Sequence, residues 1–236
     1  MHEVWAIVVA AGSGSRFGDP VPKQFTELGG LRVVDWAVAA AEAACHSVVA
    51  VLPPSHLDAG LPPTVRVVPG GASRAASVRA GLAAIPNEAA VIVVHDAARP
   101  LAGPALFQRV IEAVMMDGAD GAVPGVPVAD TIKRVDPSGG EVLETLDRAA
   151  LRAIQTPQAF AAGVLRRAHA GEADATDDAA LVEAAGGRVV VVDGDPVNLK
   201  ITGPDDLERA EALLARRSPG DGGRPPDRGG VSRQRQ

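Results

Sequence analysis

Short apolar runs rich in β-branched residues alternate along the chain with longer stretches whose apolar positions recur every three or four residues. Runs of the first kind are typical of buried strands, and stretches of the second kind are typical of helices that bury one face. The pattern predicts strands at Val4–Ala10, Val48–Leu52, Val65–Val68, Val91–His95 and Arg188–Asp193. It predicts helices at Val33–Ala44, Ser73–Ile85, Pro104–Asp117, Ala161–Ala170, Asp177–Ala185 and Asp205–Arg217.

The predicted strands are apolar at nearly every position, so both of their faces must be covered. Such strands, alternating with helices, are typical of a parallel sheet that has helices on both faces. We therefore predict an α/β fold with a Rossmann-like, mostly parallel sheet. In sheets of this kind, ligands bind outside the carboxyl ends of the strands, and the candidate chemistry is sought there.

Two stretches depart from the alternation. Residues 126–145 consist of two extended segments around the turn Asp136-Pro137-Ser138-Gly139-Gly140, which predicts a β-hairpin. An isolated hairpin is marginal in water, so we expect this arm, at about 126–147, to pack on something else, such as a second subunit. Residues 218–236 are rich in Gly, Pro and Arg and are predicted to be disordered, which leaves 1–217 as a single domain.

Composition narrows the possible functions. The formal net charge of −6 argues against non-specific binding to nucleic acid, which needs a broad basic face. The one cysteine, Cys45, supplies neither an intramolecular disulfide nor a cluster of thiolates for zinc. The apolar run near the start of the chain is about seven residues long, too short for a membrane span or a secretion signal, so a cytoplasmic protein without membrane contact is expected.

The first candidate site is the loop after the first strand, Ala10 to Gly18. Glycines there allow the backbone to approach a ligand closely, and successive N–H groups can bind an anion. On the glycines alone, a tight strand-to-helix turn is an equally good interpretation, because the spacing matches neither the dinucleotide nor the triphosphatase fingerprint. Arg16 and Lys23 flank a proline-stiffened segment and can bind a polyphosphate from two sides, which favours the phosphate interpretation.

Two further strand ends carry polar side chains. Asp96 follows the strand Val91–His95, where a carboxylate can hold Mg²⁺ together with phosphate and water, although a helix N-cap is an alternative interpretation. His95 by itself is better explained as a core residue than as a ligand. Arg74 and Ser77 follow the third strand at a spacing of three, on one face of a helix start, which suits a base carbonyl or a ribose hydroxyl.

Taken in chain order, several motifs resemble those of the methylerythritol phosphate cytidylyltransferases, a family of nucleotidyltransferases. They are AAGSGSRFG with PKQF, GGASRAASV, HDAARP, DTIKRV, LDR with TPQAF, ATDDAALVEAAGG and NLKIT. The resemblance extends from about Val4 to about Leu214. Ala72 departs from it, because many members have an acidic residue at that position.

The resemblance implies a role for each matching residue. Catalysis is assigned to Arg16, Lys23 and Lys200. Nucleotide binding is assigned to Ala10, Ala11, Gly12, Gly14, Gly71, Arg74, Ser77, Asp96 and Ala97, with Asp96 also the magnesium ligand. Binding of the sugar-alcohol phosphate is assigned to Arg99, Thr131, Arg148, Thr156, Thr176 and Asp177.

The implied substrates are CTP and a polyol phosphate, and the implied cofactor is Mg²⁺ or another divalent cation. In this family the hairpin arm reaches across a homodimer to the neighbouring subunit's substrate. Three alternatives stay open on the sequence: a ribitol 5-phosphate cytidylyltransferase, a nucleotidyltransferase for aldose 1-phosphates, and a nucleotide-binding module without catalysis.

Overall fold

The computed structural model describes residues 3–12, 22–171, 175 and 177–216. The strands are Val4–Val9 (β1), Glu27–Leu28 (β2), Leu31–Arg32 (β3), Ser47–Leu52 (β4), Val65–Pro69 (β5), Val91–Asp96 (β6), Gly121–Pro127 (β7), Lys133–Val135 (β8), Val142–Thr145 (β9), Arg152–Ile154 (β10), Gln158–Ala161 (β11) and Val189–Asp193 (β12). The helices are Val33–Ala44 (α1), Arg74–Ala83 (α2), Pro104–Met116 (α3), Ala162–Ala168 (α4), Asp178–Ala184 (α5) and Pro204–Ala215 (α6).

An eight-stranded sheet forms the centre of the fold, in the order β10-β7-β11-β6-β1-β4-β5, with β12 paired to β7. The pairs β1/β4, β1/β6, β4/β5 and β7/β12 are parallel. The strand β11 runs antiparallel between β6 and β7. The strand β10, at the edge, also runs antiparallel to β7. The mostly parallel sheet that the sequence predicts is therefore confirmed, and two reversed strands are added to it.

Alternate residues of the central strands enter two cores, one on each face of the sheet. Ala6 and Val8 of β1 pack in a cluster with α1 and α3, where Phe107 is fully buried. Trp5 and Ile7 pack on the opposite face with α2, α4 and α5. Helices on both faces, as predicted, follow from this two-sided burial because every position of β1 needs an apolar cover.

All five predicted strands and all six predicted helices are present, with ends that differ by no more than three residues. The predicted hairpin is also present, as the separate antiparallel pair β8–β9, and every residue of both strands is exposed. Its role in dimerisation stays a prediction. In the part of the chain that the structure describes, no helix has the length and apolar character to cross a membrane. The predicted tail, 218–236, lies outside the described residues.

The strand order reverses at β1, since β4 and β5 lie to one side of it and β6 to the other. A crevice opens at such a point, because the loops that leave neighbouring strands turn to opposite faces of the sheet. The carboxyl ends of β1 and β6 are adjacent there, with Val9 paired to Asp96. The fold thus brings the first loop and the Asp96 carboxylate to one place.

Candidate active site

A cavity of about 480 Å³ lies at this crevice. Its walls come from the loop after β1, the start of α2, the end of β6 and the segment before α6. The lining residues are Val9, Ala10, Ala11, Gly12, Lys23, Gln24, Gly71, Ala72, Ser73, Arg74, Ser77, Asp96, Ala97, Ala98 and Lys200. Sequence reasoning had assigned nucleotide binding or catalysis to most of them. It gave no binding role to five of them, which are Val9, Gln24, Ala72, Ser73 and Ala98.

The loop after β1 forms the first wall, and the buried side chain of Gln24 fixes its path. The Gln24 Nε2 atom donates to the carbonyl oxygens of Ala10, at 2.6 Å, and Gly12, at 3.0 Å. Lys23 begins a short 3-10 turn, and its Nζ atom donates to the Ile201 carbonyl oxygen at 3.0 Å. This bond keeps the ammonium group at the cavity wall.

Residues 13–21 lie outside the described part of the chain, and Gly14 and Arg16 are among them. The assignments of Gly14 to nucleotide binding and of Arg16 to catalysis therefore stay predictions. What the structure describes on either side of the gap, Gly12 and Lys23, lines the cavity. The two ends of the predicted phosphate loop thus meet at the same site.

The second wall is the start of α2. Ser73 is the N-cap of this helix and accepts from the Ala76 N–H at 3.2 Å. The Ser77 hydroxyl donates to the Ser73 carbonyl at 2.9 Å and accepts from the Gly71 N–H at 3.2 Å. A Cβ atom on Gly71 would lie 2.5 Å from the Ala76 Cβ, so this tight turn needs glycine.

Asp96 occupies the centre of the site. Its Oδ1 atom accepts from Arg74 Nε at 3.1 Å, and its Oδ2 atom accepts from Lys200 Nζ at 2.7 Å. Its backbone N–H donates to the Thr156 hydroxyl at 3.0 Å. The next helix begins only at Pro104, so Asp96 is not an N-cap, and its carboxylate faces the cavity instead.

The charges around Asp96 determine its ionisation. Burial raises the pKa of the Asp96 carboxyl, but the charges of Arg74 and Lys200 together outweigh burial and hold the pKa well below its usual range. The group is therefore an anion at any physiological pH. It is available as a ligand for a metal ion, or as a partner for the two cations that now contact it.

His95 belongs to the core, as the sequence suggested. Its side chain is fully buried, its Nδ1 atom lies 3.1 Å from the Thr156 hydroxyl, and its ring lies 5.0 Å from that of Phe107. Burial lowers the pKa of His95 to about 4, with the charge of Asp96 opposing the shift and that of Arg99 adding to it. The imidazole is therefore neutral and holds the end of β6 in place.

A second buried carboxylate, which sequence reasoning gave no role, supports the first. Asp178, the first residue of α5, accepts from Arg74 NH1 at 2.7 Å through Oδ2, and its Oδ1 lies 2.9 Å from His169 Nε2. Its side chain is fully buried. Arg74 thus lies between two carboxylates, one at the cavity and one behind it.

The segment that carries Lys200 is held by a buried amide network. Gln155 Nε2 donates to the Asp195 carbonyl at 2.8 Å, and Gln155 Oε1 accepts from the Asp195 N–H at 3.1 Å. Asn198, which is fully buried, donates to the Thr156 carbonyl at 2.9 Å. Neither amide carries chemistry, but together they fix the backbone from which Lys200 reaches Asp96.

Among the described residues, those predicted to bind the polyol phosphate do not line the cavity. Arg99 donates to the Asn198 carbonyl at 2.8 Å, and the Thr156 hydroxyl is buried against Asp96 and His95. Thr131 and Arg148 are exposed, Thr131 just before β8 and Arg148 just after β9, and Arg148 donates to the Ala129 carbonyl. Arg99 and Thr156 thus lie next to the cavity, whereas Thr131 and Arg148 belong to the hairpin arm.

The start of α5 corrects one detail of the sequence analysis. The helix begins at Asp178, one residue later than predicted, and its N-cap is Asp177, whose Oδ1 accepts from the Ala180 N–H at 3.0 Å. The other Asp177 oxygen accepts from Gln158 Nε2 at 3.2 Å. The Asp177 carboxylate thus caps the helix and satisfies a buried amide at the same time. Thr176 itself lies outside the described residues, and its predicted role is untested.

Comparison with known proteins connects this site to a family. Residues 4–216 match the sequence model of the family described as IspD, 2-C-methyl-D-erythritol 4-phosphate cytidylyltransferase. The chain is 48% identical over 229 residues to the 2-C-methyl-D-erythritol 4-phosphate cytidylyltransferase of Nocardia farcinica, covering 91% of this chain and 95% of that protein. It is 47% identical to the bifunctional enzyme IspD/IspF of Clavibacter michiganensis, covering 89% of this chain and 54% of that longer protein.

Comparison with a solved structure agrees with these sequence comparisons. The crystal structure of 2-C-methyl-D-erythritol 4-phosphate cytidylyltransferase from Thermus thermophilus superposes with a TM-score of 0.74 at 36% identity. The superposition covers 91% of this chain and all of that one, at 100%. The likeness in sequence and the likeness in fold therefore extend over the same part of the chain.

Proposed function

The chain belongs to the 2-C-methyl-D-erythritol 4-phosphate cytidylyltransferase family and is a cytidylyltransferase, and from this premise we propose the full reaction that it catalyses. It transfers the cytidylyl group of CTP to 2-C-methyl-D-erythritol 4-phosphate, in the presence of Mg²⁺, and releases pyrophosphate. The product is 4-diphosphocytidyl-2-C-methyl-D-erythritol, an intermediate in the synthesis of isoprenoid precursors without mevalonate. We expect the reaction in the cytoplasm.

One observation carries the proposal. The Asp96 carboxylate, at the end of β6, faces the same cavity as the ammonium groups of Lys23 and Lys200. A triphosphate needs cations on several sides and a place for a metal ion, and this cavity supplies both. Its volume of about 480 Å³ falls in the range of pockets that bind small ligands.

The residues present fit a magnesium ion that is held partly by its substrate. Among the described residues, no group of three or more His, Cys, Asp or Glu side chains is placed to hold a metal ion. Mg²⁺ usually binds through one or two carboxylates and completes its shell with water and phosphate, so a single carboxylate suffices here. Each Asp96 oxygen accepts one hydrogen bond and keeps a further lone pair. Asp96 would therefore hold the ion, which would neutralise charge on the triphosphate.

The chain's own residues then act by position and charge. The phosphate oxygen of the acceptor attacks the α-phosphorus of CTP in line, and the bond to the departing pyrophosphate breaks. Because both reactants are anions, the site must hold them together and offset charge on the non-bridging oxygens. Lys23 and Arg16 are assigned to the α-phosphate, and Lys200 to the region between the metal and the triphosphate. The attacking phosphate is already ionised, so no base or covalent nucleophile is required.

We assign the acceptor to the hairpin side of the cavity. Arg99 and Lys200 would bind its phosphate, and Thr131 and Arg148 of a second subunit would complete that pocket. The hairpin supports this assignment, because Val135, Val142 and Leu143 are about half exposed, at 46%, 54% and 57%. Large apolar side chains on an exposed hairpin gain most by packing against another chain. We therefore infer a homodimer, which sedimentation analysis at several concentrations would test.

The test of the proposed reaction is pyrophosphate release. The full-length protein is incubated with CTP and either 2-C-methyl-D-erythritol 4-phosphate or ribitol 5-phosphate, with Mg²⁺ or with a chelator. We expect release with the first acceptor and Mg²⁺, and at most slow release in the other three conditions. Faster release with ribitol 5-phosphate would favour the alternative substrate, and equal release with a chelator would contradict the role of the metal.

A further inference from the structure

A chain of side-chain contacts leads from the cavity to the start of α5 and the end of α4. Lys200 contacts Asp96 at 2.7 Å, and Asp96 contacts Arg74 at 3.1 Å. Arg74 contacts Asp178 at 2.7 Å, and Asp178 contacts His169 at 2.9 Å. The cavity lining includes the first three of these residues and neither of the last two. No part of the proposed reaction uses Asp178 or His169.

Asp178 is the most deeply buried carboxylate of this series of contacts. It is fully buried, and each of its two oxygens has a partner, His169 on one side and Arg74 on the other. His169 is buried as well, at 4% exposure. A carboxylate held in this way has little freedom to move, so it determines where the Arg74 guanidinium lies.

Arg74 contacts two carboxylates as a result. The NH1 atom donates to Asp178, whereas Nε donates to Asp96 at the longer distance of 3.1 Å. Because Asp178 holds NH1, the guanidinium contacts Asp96 at Oδ1, and the charge of Asp178 offsets part of the positive charge that a cation at Asp96 would meet. Asp96 is therefore held less tightly by Arg74 than in a bidentate pair, in which two N–H groups would contact both of its oxygens.

We propose that Asp178, held by His169, is a positioning residue that keeps Arg74 partly away from Asp96 and thereby leaves Asp96 able to bind a divalent cation. This inference rests on the proposed function, because it takes Asp96 as the metal ligand. If Asp178 loses its charge, the guanidinium can turn towards Asp96 and its positive charge is no longer offset, so a metal ion at Asp96 must compete with Arg74 and is repelled more strongly. Partners behind a metal ligand typically change metal affinity by about 10- to 100-fold when they are mutated.

A merely structural role for Asp178 predicts a different result. The residue joins the starts of α5 and α2 and the end of α4, so its loss would lower stability in either case. A structural role would leave the cation affinity of the folded protein unchanged. The two roles are therefore separated by cation binding, measured without turnover.

The test is a titration of Mn²⁺ into full-length protein saturated with CTP and without acceptor, followed by the electron paramagnetic resonance signal of free Mn²⁺. A parallel titration of CTP alone corrects for binding to the nucleotide, and equilibrium dialysis without metal measures CTP binding itself. The proteins are the wild type, Asp178→Asn, Arg74→Gln and the double variant. Asp35→Asn is the matched control, because Asp35 is a buried carboxylate paired with Arg32 at 2.8 Å and does not line the cavity.

We expect Asp178→Asn to weaken Mn²⁺ binding by about 10-fold or more. In the Arg74→Gln background, the same change should add at most about 2-fold, because the effect acts through Arg74. Asp35→Asn should lower the melting temperature and leave Mn²⁺ binding unchanged. An Asp178→Asn protein with a lower melting temperature and Mn²⁺ binding within about 2-fold of wild type would overturn the proposal. So would an effect of equal size with and without Arg74.

Asp178→Glu keeps the test decisive if Asp178→Asn does not fold. It retains the charge, so Mn²⁺ binding should stay within about 3-fold of wild type, and a 10-fold loss would contradict the proposal. Asp96→Asn must also lose the Mn²⁺ site, since unchanged binding there would place the ion elsewhere and refute the inference. A wild type that binds Mn²⁺ but releases no pyrophosphate would count against the proposed function alone, and the comparison of Asp178 variants would still decide this inference.

Discussion

Replacing Asp96 by Asn separates the stabilising role of this residue from its role in catalysis. The amide keeps the size of the carboxylate and can still accept one hydrogen bond, but it has no charge. Arg74 keeps its bond to Asp178, and the Lys200 side chain is 42% exposed, so neither cation is left buried without compensation. The loss therefore amounts to about one hydrogen bond between charged groups, or roughly 2 kcal/mol.

This magnitude gives a modest change in melting temperature. One kcal/mol shifts the midpoint by roughly 2–4 °C in a protein of this size, so a fall of about 4–8 °C is expected, measured by circular dichroism. The catalytic loss should be much larger. A metal ion contributes several kcal/mol to stabilising charge in the transition state, and 3 kcal/mol corresponds to a loss on the order of 10²-fold in kcat/KM.

The two measurements together can refute the reasoning. An Asp96→Asn protein that keeps more than about a tenth of the wild-type kcat/KM would show that the carboxylate does not serve the reaction. A fall of more than about 15 °C would show that Arg74 and Lys200 are not compensated as described, so that the loss of activity reflects unfolding. Asp35→Asn should show a comparable fall in melting temperature with nearly unchanged kcat/KM.

Three further predictions follow from the site and its walls. Lys23→Ala and Arg16→Ala should each lower kcat by about 10²- to 10³-fold, or ~2.7–4 kcal/mol, because each removes a donor aimed at transition-state charge. Near-normal steady-state turnover in both variants would contradict the assignment. Arg148→Ala should raise the KM for the polyol phosphate about 10-fold or more and leave CTP affinity nearly unchanged, and the reverse pattern would show that the arm is misassigned. Gly70→Ala should lower the free energy of unfolding, measured in urea, by about 1–3 kcal/mol, because the added Cβ would lie 2.1 Å from the Ala11 Cβ. An unchanged unfolding midpoint would show that the two loops can move apart at no cost in stability.

The sequence predicted the strands and helices whose periodicity is uniform, and it missed those that depart from the usual pattern. The strand β7, GAVPGVP, contains Pro124, and a proline normally argues against an inner strand. In the structure, β7 pairs with β11 up to Ala122 and with β10 from Gly125 onwards. Pro124 lies at the change of partner, where its carbonyl accepts from the Gln155 N–H and no N–H is needed from it. The sequence around Pro124 does not indicate that β7 changes its partner strand from β11 to β10 at this point.

The sequence predicted the position of the cavity, because that position follows from where the parallel strands end. Residues directly after β1, β5 and β6 had to meet near one edge of the sheet, and Asp96 and Arg74 do meet there at 3.1 Å. Asp178 was not predictable, because it lies 104 positions from Arg74 and its local pattern indicates no more than a helix start. The buried amides Gln155 and Asn198 were missed for the same reason, since only the folded chain brings them together.

The central claim is that Lys23, Arg16 and Asp96 converge on the α-phosphate of one bound CTP. A crystal structure of the protein with CTP and Mg²⁺ tests it directly, with the acceptor left out so that the nucleotide stays intact. The claim predicts the α-phosphate within hydrogen-bond distance of Lys23 and Arg16, with the metal ion between it and Asp96. A triphosphate that lies outside the cavity, or an Asp96 that contacts only Arg74 and Lys200 while CTP is bound, would contradict it.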